Sequence, residues 1–299
     1  LTPTPAYAQG LNLSLSPPLL QATIKPSKSI SQVFTIYNNN SDSIKLTPRI
    51  VPFLPEDHQG NPSLQPQSTP TWLSYFSLIN TNIKLGQPFI LEANKSDQLV
   101  LSIKIPENAP TADHYATLLV SSEGGSTPMG LNLNVTPISA SIGANILLTI
   151  ANQAAPATIL NISTLKPTNT KFIKIGHTYF LDNLSPIHFT AKLENLGQHL
   201  TQAHGLFQIH QSSKVVNIQS LLPVNVLSHS TRELIASDSG QLIFNPKITQ
   251  VGSYKASLNI RSENGSTQNS INLVLLPIKA TLALILSLIL LKLVLDKVK

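Results

Sequence analysis

The sequence predicts an all-β chain: two antiparallel β-sandwiches in series, followed by one apolar helix at the C-terminus. Three observations lead there. Apolar and polar residues alternate with period 2 in short runs along almost the whole chain. Asn, Ser, Gly and Pro bound those runs, and the 13 glycines and 22 prolines are scattered as turn punctuation. A length of 299 residues is enough for two separate cores.

The elements follow in order. Ala6-Tyr7-Ala8 has the small-x-small pattern of a secretory cleavage site, so residues 1–8 are read as a signal-peptide remnant cut after Ala8. The first sandwich is assigned to residues 9–152. In "SIKLTPRI", Ile44, Leu46, Pro48 and Ile50 oppose Lys45, Thr47 and Arg49; in "LVLSIKIP", Leu99, Leu101, Ile103 and Ile105 oppose Val100, Ser102 and Lys104. "GLNLNVT" sets Leu131, Leu133 and Val135 against Asn132, Asn134 and Thr136. Between these runs, "EDHQGNPSLQPQSTPT" (56–71) is polar and Pro-rich, the composition of an exposed, mobile loop. The small-residue stretch "ANQAAP" (151–156) marks the domain boundary, and the second sandwich is assigned to 153–277. There Ile187, Phe189, Ala191 and Leu193 alternate in one run and Tyr254, Ala256, Leu258 and Ile260 in another. A weak internal repeat, "ATLLVSSEGGS" (116–126) and "ASLNIRSENGS" (256–266), matches at six of eleven positions and suggests two copies of one topology. Half-polar strands of this kind belong in antiparallel sheets with one face inward.

The closing "KATLALILSLILLKLVLDKVK" is read as a membrane-spanning helix over 278–296, with a basic tail at 297–299. Its apolar run from Ala280 to Leu295, broken only by Lys292, gives about 24 Å of helix, short of a hydrocarbon core of about 30 Å. Lys279 and Lys292 flank the run and can extend it by reaching to the headgroups. Lysines 292, 297 and 299 follow most of the run and only Lys279 precedes it, which puts the C-terminus in the cytoplasm and both sandwiches outside.

Charge excludes several functions. The net +6 divides into −1 over residues 10–150, +4 over 151–277 and +3 in the tail, with no basic stripe interleaved with aromatics, so nucleic acid is not a predicted partner. The chain has no cysteine, hence no disulfide, thiolate metal site or cysteine nucleophile. His199, His204 and His210 lie at spacings that suit neither one helical face nor a usual zinc pair. Acidic residues are dispersed, Glu56-Asp57 apart, and no nucleophile-elbow, metalloprotease, phosphate-loop or calcium-loop motif occurs. No catalytic, metal or cofactor site is therefore predicted. Sequons such as Asn39, Asn94, Asn161 and Asn264 match the frequency expected of an Asn-, Ser- and Thr-rich chain. The candidate ligand surface is Trp72, Tyr75 and Phe76 in "WLSYFSLI", which either caps the first sandwich or forms a stacking platform beside the 56–71 loop.

Several stretches resemble a known family. "LSPPLLQATIKPSKSISQVFTIYNNNSDSIKLTPRIVPF" is similar to the opening of bacterial surface proteins of the WxL-interacting-protein type, and "LSIKIPENAPTADHYATLLVSS" to their later strand pair. "KLENLGQHLTQAHGLFQI", "NVLSHSTREL" and "GSYKASLNI" resemble the second domain of related membrane-anchored proteins. This chain departs from them at Pro26-Ser27, where Pro-Gly is common, at Ala112 and at Leu227-Ser228. The resemblance implies two immunoglobulin-like domains outside the cell, one bound to the wall and the other to a partner.

The resulting expectation is a non-catalytic protein of the cell membrane whose domains lie on the extracytoplasmic face. It would bind cell-wall peptidoglycan or another surface protein. The alternative is a periplasmic chaperone-like module that captures partner β-strands by edge pairing.

Overall fold

The computed structural model describes residues 12–122, 140–153, 156, 158–168 and 171–298. The expected signal remnant 1–8 and the "GLNLNVT" strand lie outside these residues. The chain divides into two compact units, residues 1–56 with 62–154, and residues 57–61 with 155–299.

The first unit contains strands β1 (Leu13–Ser16), β2 (Leu19–Ile24), β3 (Ser29–Asn38), β4 (Ile44–Pro55), β5 (Pro62–Leu64), β6 (Phe76–Leu78), β7 (Phe89–Leu91), β8 (Ser96–Lys104), β9 (Ala112–Ser122) and β10 (Ser141–Ile150). One sheet runs β1-β3-β8-β6; the other runs β2-β10-β9-β4-β5, with β7 also on β4. Their inner faces share one core. Leu99, Leu101 and Ile103 of β8 are fully buried, as are Leu118, Val120, Ile146 and Leu148 of the other sheet. Period-2 alternation sends every second side chain inward, and each fully buried Leu or Ile stabilises the sandwich by about 1.5–3 kcal/mol. The turn before β3 uses Pro26-Ser27, closed by Lys28 N–H donating to Lys25 O (3.2 Å), with Ser27 at φ 63°. A serine thus takes the left-handed conformation that glycine adopts more readily.

The 56–71 segment is more ordered than its composition predicts. β5 pairs with β4, and Asp57 Oδ1 accepts the backbone N–H groups of Gln59 (2.9 Å), Gly60 (2.8 Å) and Asn61 (3.1 Å). These donors stabilise the carboxylate and hold Asp57 below its usual range, the side-chain amide of Asn61 contributing most.

The second unit contains β11 (Leu160–Thr168), β12 (Phe172–Ile175), β13 (Thr178–Asp182), β14 (Ile187–Asn195), β15 (Thr201–Gln211), β16 (Lys214–Ser220), β17 (Val224–Val226), β18 (Thr231–Glu233), β19 (Leu242–Phe244), β20 (Gly252–Ser262) and β21 (Gly265–Leu276), then helix α1 (Ile278–Val298). One sheet runs β11-β14-β18, with β19 on β14; the other runs β12-β13-β21-β20-β15-β16, with β17 on β15. Phe207, Ile209, Leu193, Leu258 and Leu273 fill the space between them.

The two units follow one path. An opening strand pairs antiparallel with a later one (β1 with β3, β11 with β14). A following strand lies parallel to the last (β2 with β10, β13 with β21). The last two strands pair antiparallel (β9 with β10, β20 with β21). The described parts of the sequence repeat, 116–122 and 256–262, therefore occupy equivalent strands. Among the described residues β12 has no counterpart in the first unit.

The helix expected over 278–296 forms as α1. The expected crossing does not follow from it, because among the described residues no helix is long and apolar enough to cross a membrane. The uncharged run Ala280–Leu291 before Lys292 makes only about 18 Å of helix, short of a hydrocarbon core of about 30 Å.

Candidate functional site

The predicted aromatic surface is largely absorbed by the first sandwich. Phe76 is buried, and Trp72 and Tyr75 are half-buried against the same core. A short 3₁₀ turn, Thr71–Tyr75, places Trp72 flat on His114, with ring centroids 4.8 Å apart and planes at 22°. Tyr75 meets His114 edge-on at 6.1 Å, and Trp72 meets Phe76 edge-on at 6.0 Å. The imidazole Nε2 is buried without a hydrogen-bond partner, and burial holds His114 below its ordinary value while Asp113 pulls weakly the other way. His114 was not legible as part of this cluster, because it reaches Trp72 only through tertiary packing.

Histidines 204 and 210 occupy alternate outer positions of β15, and His210 Nε2 lies 3.1 Å from Ser257 Oγ. His199 lies before β15. Among the described residues no group of three or more His, Cys, Asp or Glu is placed to hold a metal ion.

Two features of the second unit stand out. The first is the outer face of β15, β20 and β21. Three shallow depressions of about 520, 430 and 280 Å³ adjoin one another there, and Asn259 lines all three. The rest of the lining mixes polar Gln208, Ser257 and Gln268 and cationic Arg261 and Lys255 with apolar surface, which dominates the largest depression through Leu206 and Leu221. Asn259 Nδ2 donates to Gln208 Oε1 at 3.3 Å. Gly205 permits the close approach of β15 and β20, since a Cβ there would stand 2.2 Å from Asn259 O.

The second is the edge strand β12, which among the described residues pairs only with β13 and has no neighbour on its far side. Across the pair, Phe172 faces Leu181 and Lys174 faces Tyr179. Phe172 packs edge-on against Tyr179 at 5.3 Å, and Lys174 Nζ lies over the same ring at 5.4 Å. The intervening residues Ile173 and Ile175 point to the other face, 62% and 64% exposed. An edge strand usually protects its free N–H and C=O groups with an outward charge or a bulge. Here the lysine folds back over the tyrosine and the isoleucines stay bare. The hairpin itself, though not its open flank, was signalled by "FIKIGHTYFL", two alternating runs about a Gly-His turn.

α1 is a third anomaly. Leucines 282, 284, 286, 288, 290, 291, 293 and 295 are all more than half exposed, with no polar stripe among them. Its two hydroxyls bond within the chain, Thr281 Oγ1 to Pro277 O (2.8 Å) and Ser287 Oγ to Leu284 O (2.7 Å).

No family model and no curated protein matches the chain. Among solved structures, it is similar to the CsuC–CsuE chaperone–tip adhesion subunit pre-assembly complex from archaic chaperone-usher Csu pili of Acinetobacter baumannii. The identity is 12% and the TM-score 0.36, covering 89% of this chain and 99% of that one. The E. coli chaperone DraB gives 13%, 0.36, 87% and 97%. The class 5 fimbriae chaperone CfaA gives 11%, 0.39, 87% and 98%. These likenesses are too loose to assign a function.

Proposed function

We propose that the protein is a non-catalytic extracytoplasmic binding protein that takes an extended segment of a partner protein onto the open edge of β12, with α1 holding it at a membrane. The edge carries the reading. An added strand satisfies the free backbone groups of β12, and its alternate side chains cover Ile173 and Ile175. The partner is thus another surface or assembling protein, recognised by backbone pairing and an apolar strip. Replacing both isoleucines by lysine gives the edge the charges that normally block pairing. Both residues are exposed, so the fold remains. Isothermal titration against extended synthetic peptides of alternating Val and Thr is expected to show binding by the native chain and none by the doubly substituted one. Equal binding by both, or none by either, refutes the reading.

The tether rests on the chemistry of α1. A helix that is apolar on all sides suits a core or a bilayer, not water, and hydroxyls turned onto its own carbonyls need no solvent. Lys279 and Lys292 then reach the headgroups of that membrane with their ammonium groups. The two sandwiches correspond to immunoglobulin-like domains, as in proteins of the WxL-interacting-protein type.

A second reading is favoured by the linked depressions around Asn259: binding of a wall polymer such as peptidoglycan. Rows of amides and hydroxyls with two cations suit a hydroxyl-rich, anionic chain. Detergent-dispersed protein that pellets with purified sacculi, and pellets less after Asn259→Ala, supports it; protein that stays in the supernatant removes it.

A further inference from the structure

α1 leaves the second sandwich through a fixed joint. The backbone N–H of Lys279 donates to Asp182 Oδ1 (3.3 Å), while its Nζ stands 3.3 Å from Asp182 Oδ2 and donates to Ser185 Oγ. The next residue, Asn183, is buried and ties its own segment to those around Ile248–Gln250 and Leu276. Its N–H donates to Leu276 O (3.0 Å), and its Nδ2 donates to Ile248 O (2.9 Å) and Gln250 O (3.2 Å). Gly252, which follows Val251, pairs with Leu275.

Around this joint stand four bare apolar side chains: Leu184 (38% exposed), Ile248 (69%), Val251 (45%) and Leu276 (40%). Each is adjacent to, or hydrogen-bonded through, the residues that fix the start of α1. Ile248 sits in the tight turn Lys247–Gln250, closed by Gln250 N–H to Lys247 O (2.8 Å) and Lys247 N–H to Gln250 Oε1. Turn tips favour Gly, Pro, Asn, Asp and Ser, so an exposed isoleucine there is unexplained by the fold. The opposite end of the same strand pair turns through polar Glu263 and Asn264.

We propose that this end of the second sandwich is seated on the lipid surface. Ile248 and Leu184 enter the boundary of headgroups and acyl chains, and Lys247 and Lys279 lie at the phosphates. The proposal rests on the tether reading of α1. Lipid is the occupant because the apolar helix begins where the four side chains stand, so whatever covers its first turns also covers them. The Asp182–Lys279 joint makes helix and sandwich one lever, so the seating also sets the height of β12. That strand begins across from Leu181, near the joint, and runs away from it.

The absence of cysteine allows single-site labelling of the full chain. Ile248→Cys and, separately, Leu184→Cys carry an environment-sensitive nitrobenzoxadiazole probe, and Glu263→Cys provides the distant control. Each is reconstituted into vesicles of phosphatidylcholine and phosphatidylglycerol, with or without a lipid spin label near the headgroup, and floated on a density gradient. Blue-shifted emission and loss of fluorescence to the spin label at 248 and 184, but not at 263, is the expected result. Protein that floats while all three labels remain water-like overturns the seating and leaves the tether standing. Protein that does not float overturns both.

Discussion

In the first sandwich β3 ends at Asn38, and in the second β14 ends at Asn195; both side chains are completely buried. Asn38 Nδ2 donates to the carbonyl four residues on, Asp42 O (2.8 Å), and to Leu91 O and Glu92 O across the fold. Asn195 Nδ2 does the same with His199 O (2.8 Å) and Val226 O (3.1 Å). Their Oδ1 atoms accept N–H groups two residues ahead, from Asn40 and Gly197. The interiors thus repeat one solution to the same problem, the satisfaction of backbone groups where a strand gives way to a buried turn. The outsides diverge. Among the described residues only the second sandwich carries an added edge strand, β12, and an apolar end beside α1, and its net charge is +4 over 151–277 against −1 over 10–150. The shared interior is scaffold; the features added to one copy are where binding is sought.

The largest test of that comparison is to remove each clamp. Asn38→Ala or Asn195→Ala removes the buried amide that donates to these carbonyls, and each is expected to cost its own sandwich roughly 2–4 kcal/mol. The single tryptophan, Trp72, reports on the first sandwich alone, while circular dichroism reports on both. In urea titrations Asn38→Ala should move the fluorescence transition and Asn195→Ala should not. If both variants move it equally, the sandwiches unfold as one body and the comparison fails.

A smaller effect concerns His114. Burial depresses its folded-state pKa below the ordinary 6.5. As pH falls through 6.5 the unfolded chain takes up a proton that the folded chain refuses, so stability is lost from there down to the depressed value. Above that window His114 contributes no slope. His114→Phe keeps a ring under Trp72 and should flatten this part of the first sandwich's pH dependence, followed by Trp72 fluorescence in urea on either side of pH 6.5. An unchanged slope would show that another group carries it.

The smallest is a gain. Ser27 holds φ 63°, and Ser27→Gly should stabilise the first sandwich by about 0.5–1 kcal/mol, read as a raised urea midpoint with unchanged slope. A lower midpoint would mean that the entropy glycine adds to the unfolded chain outweighs the relief of strain.

The alternation in β8, β14 and β20 is legible residue by residue: Leu99, Leu101 and Ile103, then Ile187, Phe189, Ala191 and Leu193, then Tyr254, Ala256, Leu258 and Ile260 are all buried. The apolar C-terminal helix was equally legible. The Trp72–His114 stack, the acceptors of Asn38 and Asn195, the order of the 56–71 segment and the openness of β12 were not. Pleat geometry puts alternate side chains on opposite faces whatever lies next to the strand, so each run of residues by itself determined that a strand exists and which face is buried. Apart from proline, every residue gives a strand's flanks the same N–H and C=O groups, so residues 172–175 cannot declare whether a neighbour will pair with them. Only the tertiary structure decided which edge was left without one, and which apolar side chains gathered where α1 departs.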